Sequence, residues 1–163
     1  MPPLSDQDID RYARQIIIPG IGAAGQERLM ETKVCVCGHP DGEELARRYL
    51  AATGLSVCSP REAKAADVLV LSDPGWEVAA QTLPQRCPVV WYRLRGETLI
   101  AGTAVDLAAA LAAAGEPEAP EPTHPAAAIR HAIAACDAAA SVVALALGWT
   151  EPGSASPSEV SLG

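Results

Sequence analysis

The chain lacks an excess of positive charge. Twelve lysines and arginines stand against twenty aspartates and glutamates, a formal net charge of −8. No basic footprint exists to neutralise the phosphates of DNA or RNA, which excludes nucleic acid as an expected partner. A CxxC pair is also missing. The five cysteines, Cys35, Cys37, Cys58, Cys87 and Cys136, are odd in number and mostly set in apolar runs. They suit buried free thiols in a reducing cytosol better than a disulfide framework or a zinc knuckle. The N-terminal MPPLSDQDID has no basic region followed by an apolar stretch, so no secretory signal is read. Ala126 to Trp149 is apolar but mostly alanine, and Arg130, His131 and Asp137 interrupt it, which argues against a membrane span. These absences lead us to expect a cytoplasmic soluble protein with neither nucleic acid nor membrane as partner.

What is present suits one domain: 163 residues, 49% of them hydrophobic, can build a single core. Ser5 caps a first helix whose opening turn carries Asp6 and Asp8, and Pro19-Gly20 stops it. A short helix follows over about Ala23 to Met30. The run KVCVCG, Lys33 to Gly38, is expected to be a buried parallel strand. A helix over Asp41 to Thr53 follows, with Leu45, Tyr49 and Leu50 expected on one face. Further strands are expected at Leu55 to Ser59, Asp67 to Ser72 and Cys87 to Tyr92. TLIAGTAV turns back on VVWYRL through Arg95-Gly96-Glu97 as an antiparallel hairpin. Helix resumes over Asp106 to Ala114, and a long one covers Ala126 to Gly148. The alternation predicts a Rossmann-like, doubly wound α/β fold, mostly parallel, with N-terminal helices and an antiparallel end. The domain spans residues 1–149. Gly115 to Pro125, with four prolines and three glutamates, is an expected extended linker, and residues 150–163 are an expected disordered tail. No internal repeat is visible.

Residues 4–29, LSDQDIDRYARQIIIPGIGAAGQERL, closely resemble the N-terminal helices of MoeB and ThiF proteins, with the RYxRQI core and the GQE before the first strand. The resemblance continues through KVCVCG, RYLAATG, ADVLVLSD and RLRGETLIAG, and more weakly through ACDAAASVVALALGW, about two thirds of the chain. It implies a shortened member of the MoeB/ThiF/HesA family, within the superfamily of ubiquitin-activating enzymes. That family binds ATP and magnesium and activates the C-terminal glycine of a ubiquitin-like protein as an adenylate, using paired domains. The family's N-terminal helices lie at the pair's interface, and one of their arginines reaches the partner's ATP phosphates. Arg14 is the matching position here. A guanidinium suits that role because it offers a permanent charge and a planar fork of donors to polyphosphate. Arg11 shares its helix face. The plain alternative is that both arginines pair with Asp6, Asp8 or Asp10.

The family's G-x-G-G-x-G turn lets backbone amides at a helix N-terminus hold phosphates. Here the stretch reads Gly38-His39-Pro40-Asp41-Gly42-Glu43, and Gly38 alone keeps its place. Pro40 removes a donor, while Asp41 and Glu43 are expected to repel phosphate. Asp41 and Glu44 are spaced as a capping box that fills the anion site internally. A metal held by His39, Asp41 and Glu43 is the weaker alternative. The strand LSVCS does not end in an acidic residue for a ribose, and the family's downstream arginine, glutamine and lysine have no matching positions. Asp73 approximates the family's magnesium-binding aspartate, yet Asp73-Pro74-Gly75 is equally a turn. Gly38 and Asp73 are therefore vestigial candidates. The cysteines read as core and His124 and His131 as solvated. Trp76, Trp91 and Trp149 are expected to be buried in the core or an interface.

These readings predict a non-catalytic dimer subunit with no cofactor of its own. It would support a full-length MoeB/ThiF-like enzyme, which carries ATP and magnesium and adenylates a ubiquitin-like or sulfur-carrier protein. Two alternatives stand beside it. One is a homodimeric scaffold that binds a carrier protein or peptide through a sheet edge or the hairpin at Arg93 and Arg95. The other is an adenylyltransferase with an unusual phosphate loop.

Overall fold

The computed structural model describes residues 4–38, 40–72, 83–84, 86–95, 98–115, 127–154 and 157–161, the side chains of 40–42 and 127–128 excepted. The N-terminal helices are α1 (Asp6–Ile16) and α2 (Gly22–Glu31). They are followed by β1 (Lys33–Cys37), α3 (Pro40–Ala52), β2 (Ser56–Cys58), a 3-10 turn (Pro60–Ala65) and β3 (Val68–Ser72). Next come β4 (Val89–Arg95), β5 (Thr98–Ala104), α4 (Leu107–Ala114), α5 (Ala127–Leu147) and β6 (Ser158–Ser161). The sheet order is β2-β1-β3-β4-β5-β6. The first four strands are parallel, and β5 and β6 run antiparallel to their neighbours. The doubly wound fold with an antiparallel hairpin is therefore as expected.

Strand alternation builds two cores, because successive side chains on a strand point to opposite faces. On one face Val34, Val36, Val68, Val70, Val90 and Tyr92 meet Leu29 of α2, Ala46 and Leu50 of α3, and Ala134, Ala135, Ala138, Ala139 and Val142 of α5. On the other face Cys35, Cys37, Leu69, Leu71 and Trp91 meet Ala63 of the 3-10 turn and Leu107 and Ala110 of α4. The stretch Ile129–Leu147 is long and apolar enough to cross a membrane by length and composition alone. Here the small residues of α5 let it lie close on the sheet as the covering helix of an α/β fold.

Three expectations need correction. The tail expected to be disordered contributes β6, which pairs antiparallel with β5 from Thr98↔Ser161 to Ala101↔Ser158. Its side chains are all exposed, so no apolar pattern announced it; backbone pairing with an open edge suffices. Tyr49 does not share the buried face of α3 and is 41% exposed, because Ala46 and Leu50, four apart, form the stripe that packs. Finally, α3 begins at Pro40, which places the Asp41 backbone within the first turn and not at the N-cap position that a capping box with Glu44 requires. At that first position the missing proline amide costs nothing, since a helix's first amides have no partner within it. The linker expected at 115–125 lies almost wholly outside the described residues.

Candidate functional site

In a doubly wound sheet, ligands sit at the carboxyl ends of the strands where the winding direction reverses. Here that point lies between β1 and β3, which are neighbours although β2 intervenes in sequence. Gly38 leaves β1 with φ +145°, and a Cβ there would lie 2.0 Å from the Ser72 hydroxyl and 2.1 Å from its carbonyl oxygen. Gly38 is thus required by the close backbone approach of β3, whatever else it does. Ser72 and Tyr92 are buried beside it. Burial pushes the Tyr92 phenol up to about 12, with the Ser72 hydroxyl partly offsetting this.

Arg47 fills the neighbouring position. One of its terminal nitrogens donates to the Cys58 carbonyl at the end of β2 (3.0 Å), and the other donates to the Val36 carbonyl of β1 (3.0 Å). Its Nε donates to Glu43 Oε1 (2.9 Å), and the pair closes as an ion pair at 2.8 Å. Glu43, expected to present a bare carboxylate to phosphate, is instead neutralised one helical turn away. Glu44 turns outward toward Arg48 at 4.0 Å, both well exposed. The i,i+4 spacing of Glu43 and Arg47 was a legible signal for the pair. The two carbonyl acceptors come from strands distant in sequence and were not legible. His39, Asp73 and the side chain of Asp41 lie outside the described residues.

The N-terminal motif divides by direction. Its inward members converge on the end of α3. Gln15 donates to the Ala52 carbonyl (3.1 Å), and the buried Gln26 donates to the Thr53 carbonyl (2.9 Å). Tyr12 is buried, and a Cβ on Gly54 would lie 3.2 Å from its ring and 2.6 Å from Gln26 Nε2. Gly54, at φ +95°, ends α3 and makes room for both. The outward members are the arginines. Arg11 lies over the Tyr12 ring at 5.4 Å. Arg14 is exposed, and among the described residues no salt bridge engages it or Arg11. Asp8 turns to Ser5, whose hydroxyl accepts from the Asp8 amide while the Asp8 carboxylate takes the Ser5 amide. That cap, and to a lesser degree Arg11, holds the Asp8 carboxyl low.

The remaining candidates are structural. Arg93 is buried and donates to the Ala114 and Gly115 carbonyls (3.0 and 2.8 Å), while Arg95 donates to Ala114 (3.2 Å). Both cap the C-terminus of α4, where a cation is favoured, so they are not an exposed recognition hairpin. The Cys35 and Cys37 sulfurs lie 3.6 Å apart on one buried face. The hydrogen bond that Cys35 gives to Cys37, together with burial, raises the Cys35 thiol. Burial, then Asp67, pushes Cys87 up to about 11. Cys136, expected in the core, is exposed beside Tyr49, whose phenol it raises. His131, expected to be solvated, is buried. Trp91 is in the core and Trp149 is 54% exposed, while Trp76 and His124 lie outside the described residues. Among the described residues no three His, Cys, Asp or Glu side chains converge as metal ligands.

No family model matches the chain. Two curated proteins, each an adenylyltransferase and sulfurtransferase MOCS3, match a segment of it. The one from Drosophila ananassae is 45% identical over 51 residues and the one from Drosophila willistoni 42% identical over 52. The matched segment is 31–32% of this chain and 11% of each relative's length. Among solved structures, PaaA aligns with 98% of this chain and 84% of its own (TM-score 0.62, 12% identity). E. coli MccB with AMPCPP and MccA aligns with 98% and 72% (TM-score 0.57, 14% identity). A heterocyclase in complex with substrate and cofactor aligns with 94% of this chain and 24% of its own (TM-score 0.52, 18% identity). These three likenesses are of fold.

Proposed function

We propose that this chain, a ThiF/MoeB-like protein by a short matched segment and its fold, is a non-catalytic dimer subunit in carrier-protein activation. It supports a full-length ThiF/MoeB-like enzyme that holds ATP and magnesium and adenylates the C-terminus of a ubiquitin-like or sulfur-carrier protein in the cytoplasm. The observation that carries this reading is the occupancy of the strand ends. Arg47, tied to Val36, Cys58 and Glu43, fills the space beside β1 and β2, and Gly38 is committed to Ser72. A triphosphate needs a ring of free amides at a helix N-terminus. This turn carries a proline and Asp41 in their place, so nucleotide does not fit and no step of chemistry is assigned to this chain's own centre.

Arg14 supports the other half of the reading. It is exposed, and among the described residues no salt bridge engages it, on a helix whose Tyr12 and Gln15 face the end of α3, which leaves a planar cation for a neighbour's polyphosphate. The contribution is positional: a charge delivered where phosphate charge develops, without nucleotide binding here. The scaffold alternative loses its hairpin surface because Arg93 and Arg95 are turned inward.

Two measurements test the proposal. Calorimetric titration of the chain with ATP and magnesium should give no binding heat, and pyrophosphate exchange by the chain with a carrier protein but no other enzyme should be absent; heat would establish a nucleotide site here, and exchange an active adenylating centre. With a full-length activating enzyme and its carrier, wild type should raise adenylate formation and Arg14→Ala should not, while circular dichroism confirms an unchanged fold. Equal stimulation by both would remove Arg14 from the mechanism.

A further inference from the structure

Cys35 and Cys37 stand two apart on β1, so their side chains share one face of the sheet, and their sulfurs lie 3.6 Å apart. They are 0% and 3% exposed and belong to one apolar cluster with Ala63, Leu69, Leu71 and Trp91. Arg47 holds the frame of this dry face. Its guanidinium donates to the carbonyl of Val36, which lies between the two cysteines, and to that of Cys58. Cys58 is the parallel-register neighbour of Cys35 at the last position of β2, packed against the same cluster yet only partly buried. Cys37 closes β1, so thiols lead from the strand ends into the pair.

Geometry decides between two chemistries for these thiols. Residues two apart on a strand have Cα atoms about 6.6 Å apart, and on a pleated face their Cβ atoms keep roughly that spacing. A disulfide draws the Cβ atoms to about 3.8 Å. Oxidation would therefore bend β1, which is paired to β2 on one side and to β3 on the other. A metal ion held between two thiolates asks the opposite. With bonds of about 2.3 Å, sulfurs on opposite sides of an ion stand about 4.6 Å apart, so the pair has only to open by about 1 Å, within the strand spacing. Among the described residues no third ligand converges, which leaves zinc, a four-coordinate ion, unsatisfied. Cu(I) is soft, selects thiolate and is satisfied by two ligands.

We infer that Cys35 and Cys37 form a two-coordinate binding site for a soft monovalent cation, Cu(I). Two S–H bonds give way to two S–Cu bonds, two protons leave to solvent, and the metal stays Cu(I), so neither oxidant nor reductant is required. The hydrogen bond from Cys35 draws the Cys37 thiol below its ordinary range, which makes Cys37 the first ligand. The loaded pair carries one negative charge. Arg47 acts on both thiols to offset it, and Glu43 opposes this at Cys37. The apolar wall excludes water and so disfavours Cu(II), which takes nitrogen and oxygen ligands. The site is separate from the proposed function, since neither Arg14 nor a partner's nucleotide enters it.

The test uses the full chain with Cys136→Ser, which removes the exposed thiol as a rival ligand. It is titrated with Cu(I) without oxygen, in competition with the chromophoric chelator bicinchoninate. One equivalent per chain should leave the chelator, and X-ray absorption should show two sulfur ligands at the metal. Cys35→Ala and Cys37→Ala, added singly, should each weaken binding about 100-fold or more. Cys87→Ala should leave binding unchanged, and Cys58→Ala should keep the affinity while slowing loading. Circular dichroism checks the fold of each variant, and the absorption spectrum of the parent chain decides the ligand set even where a variant fails to fold. A parent chain that takes no Cu(I) from the chelator would overturn the site. So would undiminished affinity without Cys35 or Cys37, lost affinity without Cys58, or a third sulfur, nitrogen or oxygen ligand in the spectrum.

Discussion

Replacing Arg47 with alanine probes the strand-end occupancy most directly. Two guanidinium hydrogen bonds, to Val36 and Cys58, and one ion pair, to Glu43, are lost together. A hydrogen bond to a charged group contributes about 1.5–3 kcal/mol, so the gross loss is about 3–6 kcal/mol. The side chains of Arg47 and Glu43 are 23% and 26% exposed, so water can reach the freed carbonyls and the freed carboxylate. Discounting for that leaves about 2–3 kcal/mol. For a domain of this size each kcal/mol moves Tm by about 2–4 °C, giving a drop of roughly 5–10 °C. Arg47→Lys should lose about half as much, because one ammonium cannot span three acceptors on separate elements. Glu43→Gln should lose about 1 kcal/mol or less, since the two carbonyl bonds survive. Scanning calorimetry and urea titration measure all three. An Arg47→Ala protein within about 1 °C of wild type, or a lysine variant matching wild type, would refute the bridging role.

Other outcomes follow from the same geometry. Gly38→Ala sets a Cβ about 2 Å from backbone and side-chain atoms of Ser72 and forces φ out of the left-handed region, so a loss of about 3 kcal/mol or insoluble expression is expected; a variant of wild-type Tm would refute the close approach. Asp8 has its carboxyl depressed below its ordinary 3.8 by the Ser5 cap. Its contribution is therefore complete above the unfolded value and lost as pH falls through the folded one, so the Ser5→Ala defect should be plain at pH 7 and shrink as pH falls below the ordinary 3.8 in urea titrations. With Ellman's reagent, Cys136 should react at once and the half-buried Cys58 slowly, with Cys35, Cys37 and Cys87 reacting only in denaturant. Rapid modification of three or more native thiols would contradict the two-faced core.

Local chemistry made much of this protein legible. Ser5 with Asp8 marked the start of α1 because a capping box is written within four residues. KVCVC and DVLVLS declared buried parallel strands because strands covered on both faces need continuous apolar runs. The hairpin of β4 and β5 was likewise legible from its turn, and the alanine-rich run of α5 declared a long helix. The N-terminal motif pointed to a kinship, while leaving unsaid that Tyr12, Gln15 and Gln26 serve the end of α3 and that Arg11 and Arg14 look outward.

The chain's order of elements through α5, its two-sided sheet and its shortage of phosphate-binding glycines were determined by sequence alone, since each depends on neighbours a few residues apart. Tertiary structure decided the meaning of the charges. Glu43 proved neutralised, Arg47 proved tied to two strands, and Arg93 and Arg95 proved caps for α4. It also decided that an exposed, unpatterned tail closes the sheet as β6. A charge takes its role from the acceptors folding brings to it, and those acceptors are backbone carbonyls, which every residue carries and no side-chain pattern announces.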